Sequence, residues 1–222
     1  MLKWFLAIFV IVAVFLGIYP FLGPFFGTES EQAELRGLPW QIELREDGST
    51  EVFGIAIGQS TLAVARELLG EDMDMAIVVK ADEVGSLEMY YGHYRAGLLG
   101  GKIVLQAEAD KADIERWQDN AVRYDYMASG NAKRFYLSEQ HLQDALQSRI
   151  TGITFIPNVN LDEEVVRGRF GEAAKRIEKD RAVHFLYPEK GLHIAISDDA
   201  RDVLQYVSPD RFDTLREPIL AQ

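Results

Sequence analysis

From Thr151 to Glu172 the chain spells a short strand, a turn, a capped helix and a glycine stop (TGITFIPNVNLDEEVVRGRFGE). Ile153 to Ile156 is rich in the β-branched and aromatic residues that suit a pleated, half-buried surface. Pro157 closes the strand because proline has no N–H for a ladder. Asn160 suits an N-cap, with Glu163 three residues on. Asp162, Glu163 and Glu164 complement the positive end of the helix dipole. Leu161, Val165, Val166 and Phe170 fall on one helical face, and Gly171 ends the helix. Much of this phrase occurs earlier, as Phe53 to Glu71 (FGIAIGQSTLAVARELLGE). Gly54, Ile55, Val64, Arg66, Gly70 and Glu71 match Gly152, Ile153, Val165, Arg167, Gly171 and Glu172 once a gap is placed in the strand–helix turn. An internal duplication follows as the expectation. It comprises two related modules, each a helix packed on a small antiparallel β-meander, with the left-handed conformation expected at Gly70 and Gly171.

The segments around these phrases fit that plan. Pro39 to Leu44 alternates like a strand, and Asp47-Gly48 is a hairpin signal before Thr50 to Ile57. Met75–Lys80, Ser86–Tyr91 and Gly101–Ala107 read as three strands behind the first helix, and Ala182–Tyr187, Leu192–Ile196 and Val203–Val207 as three behind the second. Between them, Ile114, Trp117, Ala121, Tyr124 and Ala128 fall at 3–4-residue spacing, which predicts one helix over Asp110–Ala128. Ser138 caps a further helix, Glu139–Ser148. The tail from Arg211 reads as loose, with one helical turn.

Trp4 to Gly27 contains no charged side chain over 24 residues, against roughly 20 for a helix that crosses a bilayer core. Lys3 and the amino terminus precede the run, and Glu29, Glu31 and Glu34 follow it. The positive end stays in the cytoplasm. The expectation is therefore an uncleaved inner-membrane anchor with the body in the periplasm. The expected organisation is α+β: a transmembrane signal anchor (1–27), a linker (28–37), the first module (38–109), a helical connector (110–150), the second module (151–213) and a tail (214–222).

The net charge is −12. The first 27 residues contribute one lysine and no acid, so the body is more acidic still. That excludes a broad basic surface for nucleic acid. The absence of cysteine removes disulfides, thiolate metal sites and a cysteine nucleophile. Gly100-Gly101-Lys102 fails as a phosphate loop, because Ala96 stands where glycine is needed and Ile103 where Ser or Thr is needed. Gly58-Gln59-Ser60-Thr61-Leu62 lacks the closing glycine of a nucleophile elbow, so Ser60 or Thr61 reads as a helix cap. His184 and His193 flank one predicted hairpin. As metal ligands they need a carboxylate such as Asp198 or Asp199, and ordinary sheet histidines are the simpler reading. No catalytic, metal or cofactor-binding residue is expected. The middle of the chain is rich in aromatics, and Tyr90, Tyr91, Tyr94, Tyr126 and Tyr136 form the candidate interaction surface, since Tyr offers contact area with a polar tip.

The words GITFIPNVNLDEEVVRGRFGE, FLYPEKGLHIAI and VLQYVSP resemble those of membrane-anchored envelope proteins of proteobacteria. The resemblance covers most of residues 38–213 and implies a location without an activity. A helix ending Phe-Gly or Leu-Gly, followed by a hairpin with an aromatic first strand, is similar to the small outer-membrane-assembly lipoprotein and to the two-module β-lactamase inhibitor proteins, which bind proteins through a sheet face and nearby loops. This chain lacks the lipidated cysteine of the first and the disulfides of the second, so the implication is one of fold. The function read from all this is a non-enzymatic, periplasmic protein-interaction or assembly-support module, tethered through its N-terminal helix and with a protein partner. The alternative is an enzyme or small-ligand binder with its site in the cleft between the modules. Oligomeric state stays open.

Overall fold

The computed structural model describes residues 37–80, 83–96, 99–127 and 130–221. The expected anchor over 1–27 lies outside the described residues. Among the described residues no helix is long and apolar enough to cross a membrane.

The chain opens with a small antiparallel sheet, β1 (Glu43–Leu44), β2 (Thr50–Val52) and β3 (Ile55–Ala56), turned at Asp47-Gly48 as its sequence requires. Helix α1 (Leu62–Leu69) follows, capped by Thr61, whose side chain accepts from Val64 N–H. The strands are then β4 (Asp74–Lys80), β5 (Ser86–Ala96) and β6 (Leu99–Ala107). Helix α2 (Lys111–Asp119), β7 (Arg123–Tyr126), β8 (Ala132–Tyr136) and helix α3 (Glu139–Ala145) lead to β9 (Ile150–Pro157). Helix α4 (Glu163–Phe170) precedes β10 (Lys175–Lys179), β11 (Ala182–Tyr187), β12 (Leu192–Ser197) and β13 (Val203–Val207), and helix α5 (Asp213–Leu220) ends the fold.

Two separate modules are not what forms. A single ten-stranded antiparallel sheet runs in the order β10-β11-β12-β13-β9-β6-β5-β4-β8-β7. The reason lies in β9. It begins the second phrase, yet it is hydrogen-bonded to β6 on one side and to β13 on the other. It therefore fills the place where a cleft between modules was expected. One row of core side chains crosses seven strands without a break: Met75, Met89, Leu105, Ile153, Tyr206, Leu192 and Tyr187. Phe53 lies over the junction, with ring centroids 5.5 Å from Phe155 and 5.7 Å from Tyr206. Ties distant in sequence reinforce the unit, including Tyr206 Oη donating to Pro39 C=O at 2.9 Å and Ser208 Oγ to Ile57 C=O at 3.2 Å. A cooperative core follows, because burial on one shared face couples all these strands.

What recurs is local. After each helix a tyrosine reaches back to the glycine stop: Tyr91 Oη donates to Gly70 C=O and Tyr187 Oη to Gly171 C=O, each at 3.0 Å. Burial pushes the Tyr91 hydroxyl up to about 12. Both glycines have positive φ, but with ψ of 176° and −172° they are extended rather than left-handed helical, a region almost confined to glycine.

The helix phases differ from the expected ones. In α1 the buried residues are Leu62 and Ala65, while Val64 and Leu68 face outward. In α4 they are Val166 and Phe170, with Val165 outward. The cap of α4 is Asp162, whose Oδ1 accepts from Val165 N–H at 2.7 Å, and not Asn160. The buried carboxylate of Asp202 accepts from Leu161 N–H at 2.6 Å. That holds Leu161 outside the helix and delays its start. Helices α1 to α4 each bury residues in the same core. Helix α5 forms where a loose tail was expected, and its end is tied to the edge strand: Lys179 Nζ donates to Ile219 C=O at 2.9 Å.

Candidate protein-interaction edge

The helix expected over Asp110–Ala128 stops at Asp119. Asp110 caps its start through Asp113 N–H at 2.7 Å, and Asn120 Nδ2 closes its end on Arg116 C=O at 2.8 Å. Beyond Asn120, Val122, Tyr124 and Tyr126 alternate with Arg123 and Asp125, a strand period that the helical spacing of Ile114, Trp117 and Tyr124 masks. This stretch becomes β7, the last strand of the sheet.

Strand β7 pairs with β8 so that Tyr124 faces Phe135 and Tyr126 faces Lys133. One step further, Met127 N–H donates to Ala132 C=O at 2.9 Å. Antiparallel ladders alternate, so Arg123 and Asp125 turn their backbone groups toward β8, and Tyr124 and Tyr126 turn theirs outward. All four residues of β7 are exposed. Val122, Tyr124 and Tyr126 are 67%, 56% and 64% accessible.

Cations and aromatic rings interleave on both faces of this edge. On the helix side, the Tyr124 ring lies 5.6 Å from Phe135 and 6.1 Å from Tyr126, and Lys133 Nζ stands 5.6 Å and 5.2 Å above the two tyrosines. On the open side, Arg123 lies 3.4 Å over Tyr136 and is ion-paired with Asp125, and Arg134 lies 5.5 Å over Tyr90. Each exposed cation–π contact contributes about 0.5–1 kcal/mol, enough to hold the rings in place. Glu88 shares the open face with Tyr90 and Tyr136, and burial raises its carboxyl above the usual range.

The structure divides the five expected tyrosines. Tyr126 is on the edge itself, and Tyr90 and Tyr136 are half-buried on the open face beside it. Tyr91 is 2% accessible and belongs to the core. Tyr94 is half-buried against Phe53 and Phe155, with its hydroxyl donating to Gly37 C=O at 2.6 Å. Tyr124, Val122 and Phe135 join the edge in their place. The parity change at the β5 bulge, between Tyr91 and Tyr94, explains why two neighbouring tyrosines turn inward.

The opposite edge is built differently. β10 reads Lys175-Arg176-Ile177-Glu178-Lys179. Arg176 forks onto Glu163, at 3.0 and 2.6 Å, and reaches Glu178 at 2.6 Å. Charge along an edge is a standard guard against unwanted strand pairing; β7 has the one pair Arg123–Asp125, with the exposed Tyr124 and Tyr126 alternating with it.

His184 and His193 do meet, on the face of the sheet opposite Phe185 and Ile194. His184 Nδ1 lies 3.0 Å from His193 Nε2, and His193 Nδ1 lies 3.0 Å from Gln205 Oε1. The amide oxygen accepts, so His193 carries its proton on Nδ1 and accepts at Nε2 from His184. No carboxylate joins them; Asp199 is ion-paired with Arg181. Among the described residues no group of three or more His, Asp or Glu side chains is placed to hold a metal ion. Burial, ahead of the neighbouring His184, holds the His193 imidazole below its ordinary value of 6.5. The unfolded chain then binds more protons below pH 6.5, so the stability His193 contributes is complete above that pH and is lost as the pH falls. The expected result is a melting temperature that drops between about pH 7.5 and about pH 5.5, with a smaller drop in His193→Asn. An equal drop in both proteins would exclude His193 as the source.

Gly100-Gly101-Lys102 lies within β6, where a Cβ on Gly100 would sit 3.1 Å from the Asn158 side chain, so the glycines serve packing. Comparison of the chain with protein-family models, with curated proteins and with solved structures finds no match.

Proposed function

We propose that this chain is a non-enzymatic interaction module of the cell envelope. Its N-terminal apolar run tethers it to the inner membrane, and strand addition at β7 contacts a protein in the periplasm to support an assembly there. The contrast between the two sheet edges carries the reading. Both are end strands, but β10 is charged at four of five positions with Arg176 held by two carboxylates, while β7 sets two exposed tyrosines, with outward backbone groups, around a single ion pair. An extended segment added to such an edge gains main-chain hydrogen bonds, and its alternate side chains meet the aromatic strip. Tyr is also favoured at interface centres. The location rests on the uncharged Trp4–Gly27 run behind Lys3.

The test uses the full chain in its own membrane, with alkaline phosphatase fused after Gln222. A photoreactive residue replaces Tyr126, or Val159, an exposed residue remote in the fold. The expected result is active phosphatase and a covalent protein adduct from position 126 but not from 159. No adduct from 126 overturns the edge as the binding element, and an inactive phosphatase overturns the location.

A further inference from the structure

We infer that the protein bound at the β7 edge is a second copy of this chain, paired antiparallel about a two-fold axis through Tyr124. The inference rests on the strand-addition reading above. Arg123-Tyr124-Asp125, the centre of the edge, is self-complementary when reversed on itself. With Tyr124 opposite its own counterpart, Arg123 faces the copy's Asp125 and Asp125 faces the copy's Arg123; the match stops short of Val122, whose N–H donates to Tyr136 C=O of β8 at 3.0 Å. Opposite charges at cross-strand positions favour a register, and like charges disfavour it. The neighbouring register, with Tyr124 opposite Tyr126, places Asp125 against Asp125. The register centred on Tyr126 leaves Arg123 without an acidic counterpart.

The backbone selects the same arrangement. The N–H and C=O of Tyr124 point outward, so two copies of Tyr124 exchange a reciprocal pair of hydrogen bonds, as a two-fold through a hydrogen-bonded pair requires. The two-fold lies perpendicular to the sheet and keeps like faces together. Tyr124, Tyr126 and Phe135 of both copies therefore form one aromatic strip over the junction. The bodies are acidic, but at about 0.15 M salt charges more than about 8 Å apart are screened. Tethering in one membrane also raises the effective concentration of the copies for each other.

The absence of cysteine makes single-cysteine variants of the full chain direct reporters. At a hydrogen-bonded pair the Cα atoms lie about 5.5 Å apart, within disulfide reach. Mild oxidation should link most of Tyr124→Cys into a dimer, whereas Asp125→Cys, whose counterpart lies two residues along the strand, should link at most about a tenth as well. In sedimentation of the full chain in detergent, Asp125→Arg should weaken self-association about tenfold or more, because it sets arginine against arginine. The double variant R123D/D125R should restore it. Tyr124→Cys that stays monomeric, or a double variant that stays as weak as the single, overturns the second copy as occupant. If the residue at 126 still couples to a different protein in that case, strand addition stands with another partner. If it couples to nothing, both readings fall.

Discussion

Gly191→Ala is expected to leave little folded protein. Gly191 follows the single 3-10 turn Pro188–Lys190 between β11 and β12, at φ 62° and ψ 28°. Its N–H donates to Pro188 C=O at 3.0 Å, and its C=O accepts from Val207 N–H at 2.9 Å. A Cβ here would land on the carbonyl oxygen of Val207 and 3.0 Å from its carbon. The obstacle is backbone in a paired strand, with no flexible side chain to give way. The left-handed conformation costs about 1–2 kcal/mol for alanine, and overpacking adds about 1–3 kcal/mol or more. Together these give a loss of about 2–5 kcal/mol or more, against total stabilities of about 5–15 kcal/mol. Gly48→Ala is the control. Gly48 also has a positive φ, 80°, but nothing lies within 4 Å of its would-be Cβ, so only about 1 kcal/mol is expected. Equal losses in urea unfolding would mean that the β11–β12 turn does not pack against β13 as described.

Phe170→Ala should cost about 3–5 kcal/mol, the range for truncating a buried Phe. Phe170 is 4% accessible at the end of α4, with its ring edge-on to Trp40 at 6.5 Å and tilted against Tyr187 at 6.4 Å. The loss therefore reaches both the N-terminal segment and the sheet. Glu164→Ala, exposed on the same helix, should stay within about 0.5 kcal/mol. Similar small losses for both would place Phe170 off the core.

Local segments are largely legible in this chain because their signals are local. The two strand–helix–glycine phrases form, the Asp47-Gly48 hairpin forms, and the meander strands lie near their expected places. Sheet order is another matter, since nothing near Gly152 states that β9 will be shared between β6 and β13. The duplicated phrase pointed to two units, while the pairing partners of one strand made a single core. Helix phase failed for a related reason. Val64, Val165 and Leu68 are apolar yet outward, because Leu62, Ala65, Val166 and Phe170 already fill the space over the sheet.

The site was legible in composition more than in placement. The tyrosine-rich middle drew attention, but Tyr91 and Tyr94 are occupied by the fold. Tyr124 stood in a stretch whose 3–4-residue spacing imitates a helix. The alternation from Val122 to Tyr126 was the available signal, and Asn120 was the stop that separates it from α2. That β7 is an edge is a property of the whole sheet and of no residue in it.

The outward backbone groups of β7 are the centre of the functional account, and amide hydrogen exchange reads them residue by residue. In the full chain, the amide of Asp125, bonded to β8, should exchange slowly throughout. The amides of Tyr124 and Tyr126 should exchange rapidly in dilute solution and become protected when the protein is concentrated, as a strand is added. Tyr124 and Tyr126 amides that exchange at the unprotected rate at high concentration as well would contradict the account.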